Sequence, residues 1–431
     1  MYDFVGADHW AKTTLYDLAR WKNGLAFKNI NFSAEGRPVI KIAELKAGIT
    51  DQTKFTQAEY DRDVMVCDGD MLFSWSGNPD TSIDVFRWEG RQGWLNQHIY
   101  KVYPAEGVEE EFLFFLLRSL RPRFAEIARN KQTTGLGHVT LGDFKQMVVG
   151  LPSKLEQRLI VASVGPIQKK IELNRRMNET LEAQARALFR DWFVDFGPVK
   201  ARMAGPDAGG APYLAPDLWS LFPDRLDDDG VPEGWKVATL NDFAICQNRK
   251  ADLEEVDEGT PYIGLEHMPR RSIALSEWEG AEKVSSAKSW FRRREILFGK
   301  LRPYFHKVGI APVDGICSTD IVVLAPKKER FEALVLACVS TDEFVAFTDL
   351  SSTGTKMPRT SWKIMKTYPM VKPGDSVADW FQAICGPMLD RILSNIEENQ
   401  TLAQTRDLLL PKLMSGEIRV GAVEREVEKV A

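Results

Sequence analysis

The sequence predicts an α+β protein. Two mixed α/β domains stand in tandem repeat, each followed by a long helix, and the two helices pair as an antiparallel coiled coil with pseudo-two-fold symmetry. Three observations carry this reading. Residues 152–193 align without a gap with residues 373–414, at a constant offset of 221. Both copies place seam-forming residues at 3-4 spacing. Shorter segments ahead of each helix also correspond, at offsets that drift as loops change length.

The first domain is read at residues 1–151. Its Trp10-Ala11-Lys12-Thr13-Thr14-Leu15 matches Trp235-Lys236-Val237-Ala238-Thr239-Leu240. Gly69-Asp70-Met71-Leu72-Phe73 corresponds to Arg294-Glu295-Ile296-Leu297-Phe298. Ile99 to Pro104 corresponds to Ile321 to Pro326 at offset 222, and Thr134-Gly135 to Thr353-Gly354 at offset 219. Short β-branched and aromatic runs alternate with helical segments near 109–130 and 328–347, the pattern of mixed α/β domains.

The first long helix is read at 152–196 and the second at 373–418. Ten positions are identical between the copies: Pro152/Pro373, Ala162/Ala383, Gly165/Gly386, Pro166/Pro387, Ile171/Ile392, Asn174/Asn395, Asn178/Asn399, Thr180/Thr401, Leu181/Leu402 and Leu188/Leu409. A 3-4 stripe runs Ile171, Asn174, Asn178, Leu181, Ala185, Leu188, Trp192 in one copy. The other copy has Ile392, Asn395, Asn399, Leu402, Arg406, Leu409, Leu413. Such a stripe is a coiled-coil seam, and an Asn inside it fixes register because a slipped partner leaves its amide unpaired. The matching asparagines favour mutual pairing; the alternative is that each stripe packs on a neighbouring domain. Each Gly-Pro pair is expected to break or kink its helix at the same depth.

Between the halves, 12 of the 38 residues at 197–234 are Gly or Pro, against 31 Gly and 22 Pro in the whole chain. This composition predicts a linker, assigned to 197–231. The second domain follows at 232–372, and a charged tail closes the chain at 419–431.

At 431 residues and 48.8 kDa the chain suits about two to three domains. Apolar residues make up 44% and charged residues 27%, a globular balance. The longest apolar run, around Phe112 to Leu117, falls well short of the about 20 residues of a membrane span. Met1-Tyr2-Asp3-Phe4 does not open a signal peptide. Five cysteines form no C-x-x-C pair, which argues against a zinc ribbon or disulfide framework and points to a cytoplasmic protein. A net charge of −5 argues against a generic nucleic-acid coat but allows Lys and Arg gathered on one face.

No sequence motif supplies catalysis. The P-loop, the dinucleotide-binding glycine pattern, H-E-x-x-H, G-x-S-x-G and an Asn-Pro-Pro-Tyr type motif are all missing. Gly77-Asn78-Pro79-Asp80 reads as a turn. The five histidines are isolated in sequence, so no metal or cofactor is expected. A chain of this size without catalytic motifs points to binding or scaffolding.

At this point a family resemblance is close. Phe189-Arg190-Asp191-Trp192-Phe193-Val194-Asp195-Phe196 closes the first helix, and Leu410-Pro411-Lys412-Leu413-Met414-Ser415-Gly416-Glu417-Ile418 closes the second. With Val231-Pro232-Glu233-Gly234-Trp235 and the order of parts, they resemble the DNA-specificity subunit of type I restriction–modification systems. The resemblance spans nearly the whole chain; the helix-end motifs are specific and the domain interiors match weakly. It implies two target recognition domains, each reading one half of a split site in double-stranded DNA. It implies paired helices that act as a ruler and dock two methyltransferase subunits, and motor-nuclease subunits that complete the enzyme. It also implies that this chain is non-catalytic. A protein-interaction scaffold built on the repeat is the alternative.

Three basic stretches are candidates for phosphate and groove contact. The first holds Arg118, Arg121, Arg123, Arg129 and Lys131. The second holds Arg292, Arg293, Arg294, Lys300, Arg302 and Lys307, interleaved with Trp290, Phe291, Tyr304, Phe305 and His306. The third holds Lys356, Arg359, Lys363 and Lys366. Solvated helix faces or strand edges are the plain alternative. The Gly-turn loops add Thr133, Thr134, Gly135 and His138 in one domain, and Thr353, Gly354 and Thr355 in the other. For His138, which could touch DNA, a structural histidine is the safer reading. Trp192, Phe193 and Phe196 are candidates to anchor a methyltransferase subunit, or else to pack inside the chain.

Overall fold

In the computed structural model, residues 5–28, 32–50, 52–132, 135–204, 213–352 and 357–418 are described. They fall into two compact units. One comprises residues 1–169 with 402–431, and the other residues 170–401. Both boundaries lie inside the long helices.

The first unit is centred on a four-stranded antiparallel sheet of β1 (Ala19–Asn23), β2 (Met71–Ser74), β3 (Asp84–Arg87) and β4 (Ile99–Pro104), in the order β1-β4-β2-β3. Helices Glu110–Ser119 and Arg121–Asn130 cover it. Phe112 to Leu117 are all buried, which explains why that run is apolar on every side. Ala11–Thr14 pairs with Val148–Leu151 and ties the domain's start to its end. A smaller sheet contains a parallel pair, with Val39 opposite Trp94.

The second unit repeats this plan. Its sheet comprises β5 (Ala244–Gln247), β6 (Ile296–Gly299), β7 (Val308–Ile310) and β8 (Ile321–Pro326), in the order β5-β8-β6-β7. Helices Glu332–Val339 and Asp342–Leu350 cover it, and Lys236–Thr239 pairs with Pro369–Lys372. Even the small caps recur. Thr14 accepts from the Asp17 amide, and Thr239 is bonded to Asp242 on backbone and side chain.

The long helices are α1 (Lys154–Phe193) and α2 (Asp375–Met414). Both run uninterrupted through Pro166 and Pro387, so the expected breaks do not occur. Proline costs one hydrogen bond and a clash with the preceding turn. Buried neighbours hold the chain helical across it: Val164 in α1, Cys385 and Leu389 in α2.

Within the second unit the asparagines of α1 and α2 bond to each other. Asn174 Nδ2 donates to Asn399 Oδ1 at 3.0 Å, and Asn395 Nδ2 donates to Asn178 Oδ1 at 2.7 Å. Exchanging the two copies turns one bond into the other, so this stretch carries a local two-fold and the helices run antiparallel. Asn174 and Asn395 are fully buried, as is Ile392, and Ile171 nearly so. Leu181, Leu188 and Leu402 are half-buried.

Toward their C-termini both stripes also serve domain cores. Ala185, Phe189, Trp192 and Phe193 join the core of the second unit, while Leu409, Leu410, Leu413 and Met414 join that of the first. The Gly/Pro-rich stretch is not an open tether where it is described. Gly197–Ala204 is helical, and Val199, Leu218 and Phe222 are buried against the same core, because Trp192 needs an apolar cover.

Candidate nucleic-acid interface

The repeated frame places equivalent loops at the end of each central sheet. In the first unit the chain leaves β2 through Trp75. The Trp75 amide donates to His98 O at 3.2 Å, and Trp75 O accepts from the Val139 amide at 2.8 Å. Ser76-Gly77 pairs with Gly137-His138. In the second unit the Lys300 amide donates to Asp320 O at 2.9 Å, and Lys300 O accepts from the Thr360 amide at 3.0 Å. Leu301 bridges to Arg359. His138 and Arg359 therefore share one backbone position, as do Trp75 and Lys300, and His98 and Asp320.

The side chains at these positions differ. Trp75 stacks on Tyr100 and lies 5.5 Å from the His98 ring and 6.4 Å from the His138 ring, centroid to centroid. Its Nε1 donates to Asn23 Oδ1 at 3.1 Å, and Gln97 Nε2 lies 3.2 Å from His98 Nε2. The Nδ1 atoms of His98 and His138 are buried without a hydrogen-bond partner. Burial, and then the neighbouring His138, hold the His98 imidazole below its ordinary pKa. The histidines that look isolated in sequence thus include two that lie against one tryptophan. Trp75 and His98 escaped the sequence reading because their partners come from separate strands.

In the second unit Arg359 meets Asp320 through two contacts, at 3.3 and 3.4 Å. Arg302 sits next to this pair in the left-handed region, φ 51°, and its amide donates to Pro358 O. Arg270 lies over the Phe305 ring, 4.1 Å from its centroid, and Tyr304 is exposed. Lys307 donates to Leu265 O, and its ammonium is held below its ordinary pKa by burial and then by Arg270. Lys300 and Arg302 are half-buried and Arg359 is exposed.

Other predicted cations are already engaged. Lys131 is bonded to Asp143, and Arg129 to Asp80. Arg121 donates to Asp80 O at 2.9 Å. Arg293 pairs with Glu397 of α2 at 2.8 Å, and Arg294 bonds Glu332 and Asp390. The 292–294 turn therefore latches its domain onto α2, and Arg293 already has a carboxylate partner within the chain. Arg292 is exposed, and Gly135 lies in a turn at φ 86°. Thr133, Thr134, Thr353, Gly354, Thr355 and Lys356 lie outside the described residues.

The aromatic trio at the end of the first helix is also reassigned. Trp192 is buried against Phe222 and Phe381, Phe193 against Phe381 and Trp235, and Phe196 is half-buried against Trp235. Trp192 and Phe193 fill the core of the second unit and cannot serve as an exposed dock for a partner, and Phe196 packs on its edge.

Glu266, His267 and Glu279 are close enough to share a cation. However, the Gly264 amide donates to His267 Nδ1 at 3.0 Å, which leaves the proton on Nε2, facing Glu279. That tautomer makes a hydrogen bond, not a metal ligand. No helix among the described residues is long and apolar enough to cross a membrane.

Residues 7–183 match the family model of the type I restriction modification DNA specificity domain. The chain is similar to the specificity subunit of the type I restriction enzyme HindI of Haemophilus influenzae. The two are 27% identical over 356 residues, covering 72% of this chain and 77% of the relative. It is also similar to the MjaIX specificity subunit of Methanocaldococcus jannaschii, 24% identical over 338 residues, covering 75% and 73%. Among solved structures, the S subunit of a type I restriction–modification system from M. genitalium has a similar fold. The TM-score is 0.50 at 14% identity, over 94% of this chain and 96% of that one.

Proposed function

We infer that the chain is a DNA-specificity subunit of a type I restriction–modification system, and from that premise we propose how its parts divide the work. It is the sequence-specific, non-catalytic DNA-binding subunit that directs methyltransferase and restriction subunits to a bipartite site. The scaffold alternative does not fit a specificity-domain family match.

We assign the first target recognition domain to residues 1–151 and the second to 232–372, each reading one half-site. One observation carries this reading: the same strand order and loop register occur twice, with different side chains at equivalent loop positions. Two similar frames suit two grooves of one duplex, and unlike side chains suit unlike half-sites. The helical stretch after each Gly-Pro, residues 167–193 and 388–414, spans roughly 40 Å at about 1.5 Å per residue and suits half-sites about one helical turn apart. The twofold repeat of the helices suits two methyltransferase subunits, one for each copy.

The test is genome-wide mapping of methylated adenine with and without the gene. A split motif that disappears on deletion supports the reading. A methylome unchanged by deletion, in cells whose partner subunits are active, contradicts it.

A further inference from the structure

Equivalent positions in the two units can be superposed by hydrogen bonding alone. Ser74 opposes Ile99 as Gly299 opposes Ile321. The next residue, Trp75 or Lys300, is bonded on one side to residue 98 or 320, and on the other to residue 139 or 360. The buried positions of this frame keep their character: Leu72 and Leu297, Phe73 and Phe298, Ile99 and Ile321 are all buried. The positions facing outward do not. Trp75, His98 and His138 stand where Lys300, Asp320 and Arg359 stand in the other unit. All six are half-buried or exposed.

A frame held constant while its outer side chains change chemistry is how one scaffold reads two different sequences. Resting on the specificity-subunit reading, we propose that these two trios are the base-reading sets of the two half-sites. Trp75, His98 and Asp320 join them beyond the basic residues. Arg359 presents a guanidinium fork that matches guanine O6 and N7, and Lys300 offers a second donor to the same acceptors. Asp320 holds the Arg359 fork in place through its two contacts and acts as a positioning residue. The second domain therefore reads a half-site containing a required guanine. In the first domain Trp75 offers an apolar ring edge to a thymine methyl, and the imidazoles of His98 and His138 bond base edges. That half-site centres on an A·T pair.

The experiment uses the full specificity chain assembled with its methyltransferase subunits. The substrate is a duplex library randomised across both half-sites, with adenine methylation read by sequencing. With Arg359→Ala, preference for guanine at one position of one half-site relaxes roughly tenfold or more, while the other half-site keeps its wild-type motif. Asp320→Asn weakens the same position to a smaller degree. His138→Gln and Trp75→Leu relax only the opposite half-site. Arg359→Gln, which keeps a polar side chain of similar reach, guards against misassembly and gives the same change of motif. Uniformly weaker methylation with an unchanged motif overturns the assignment and makes these residues phosphate or structural contacts. Relaxation of both half-sites by one variant overturns it too. A wild-type complex that imposes no split motif overturns the specificity-subunit reading, and this assignment with it.

Discussion

The middle of the helix pair and the loop ends of the domains treat the same duplication in opposite ways. In the helices, Ile171 and Ile392, Asn174 and Asn395, and Asn178 and Asn399 are identical. At the loop ends Lys300 is the counterpart of Trp75, Asp320 of His98, and Arg359 of His138. The difference follows from what each position touches. The asparagines bond to each other's copies, so one cannot change without orphaning its partner. On the proposed assignment the loop residues answer to DNA outside the chain, which leaves each domain free to answer differently.

The core tests the rigid side of this comparison most severely. Trp192→Ala empties a fully buried site between Phe222 and Phe381. It should cost about 3–5 kcal/mol, read as a lower chemical-denaturation midpoint. A surface dock would instead lose partner binding without loss of stability.

Next comes the seam. Asn178→Leu leaves the buried Nδ2 of Asn395 without its acceptor and should cost about 1–3 kcal/mol. Replacing both Asn178 and Asn395 by Leu should recover much of that loss, because no amide is then left unpaired. An additive double mutant in a denaturation cycle would show that the bond contributes nothing.

The latch is a smaller effect. The side chains of Arg293 and Glu397 are 44% and 52% exposed. Arg293→Ala should therefore cost under about 1 kcal/mol, with sequence preference unchanged. A changed motif would return Arg293 to the DNA-reading set.

The smallest effect is a pH dependence. His98 has its folded pKa below the ordinary 6.5, through burial and His138. The unfolded chain takes up the proton first, so the contribution is fully present above about pH 6.5 and declines as pH falls below it toward the folded value. His98→Gln should flatten the pH dependence of melting in that range. An unchanged profile would place the acid sensitivity elsewhere.

Much of this architecture was legible because a gapless repeat transmits position directly. Asn174 and Asn395 announce a seam before any coordinates exist. The loop faces were harder to read. Their offset drifts from 225 at Trp75 and Lys300 to 221 at His138 and Arg359, and the members come from three separate segments. Carrying the repeat offset from Lys300 back to Trp75 would have found the missing tryptophan. Charge alone could not show that Arg293, Arg294, Arg129 and Lys131 have partners, because one-dimensional charge patterns do not reveal Glu397, Asp390, Asp80 or Asp143 folding back to meet them. The aromatic trio misled for a similar reason: its cover, Phe222 and Trp235, lies beyond a Gly/Pro-rich stretch that reads as a linker.

The central claim is that each domain reads its own half-site through a shared frame. It is tested most directly by replacing residues 1–151 with the corresponding domain of a specificity subunit whose motif is known, and mapping methylated adenine in the same cell. The account predicts a hybrid motif, with one half-site replaced and the other unchanged. A motif altered in both halves would contradict it.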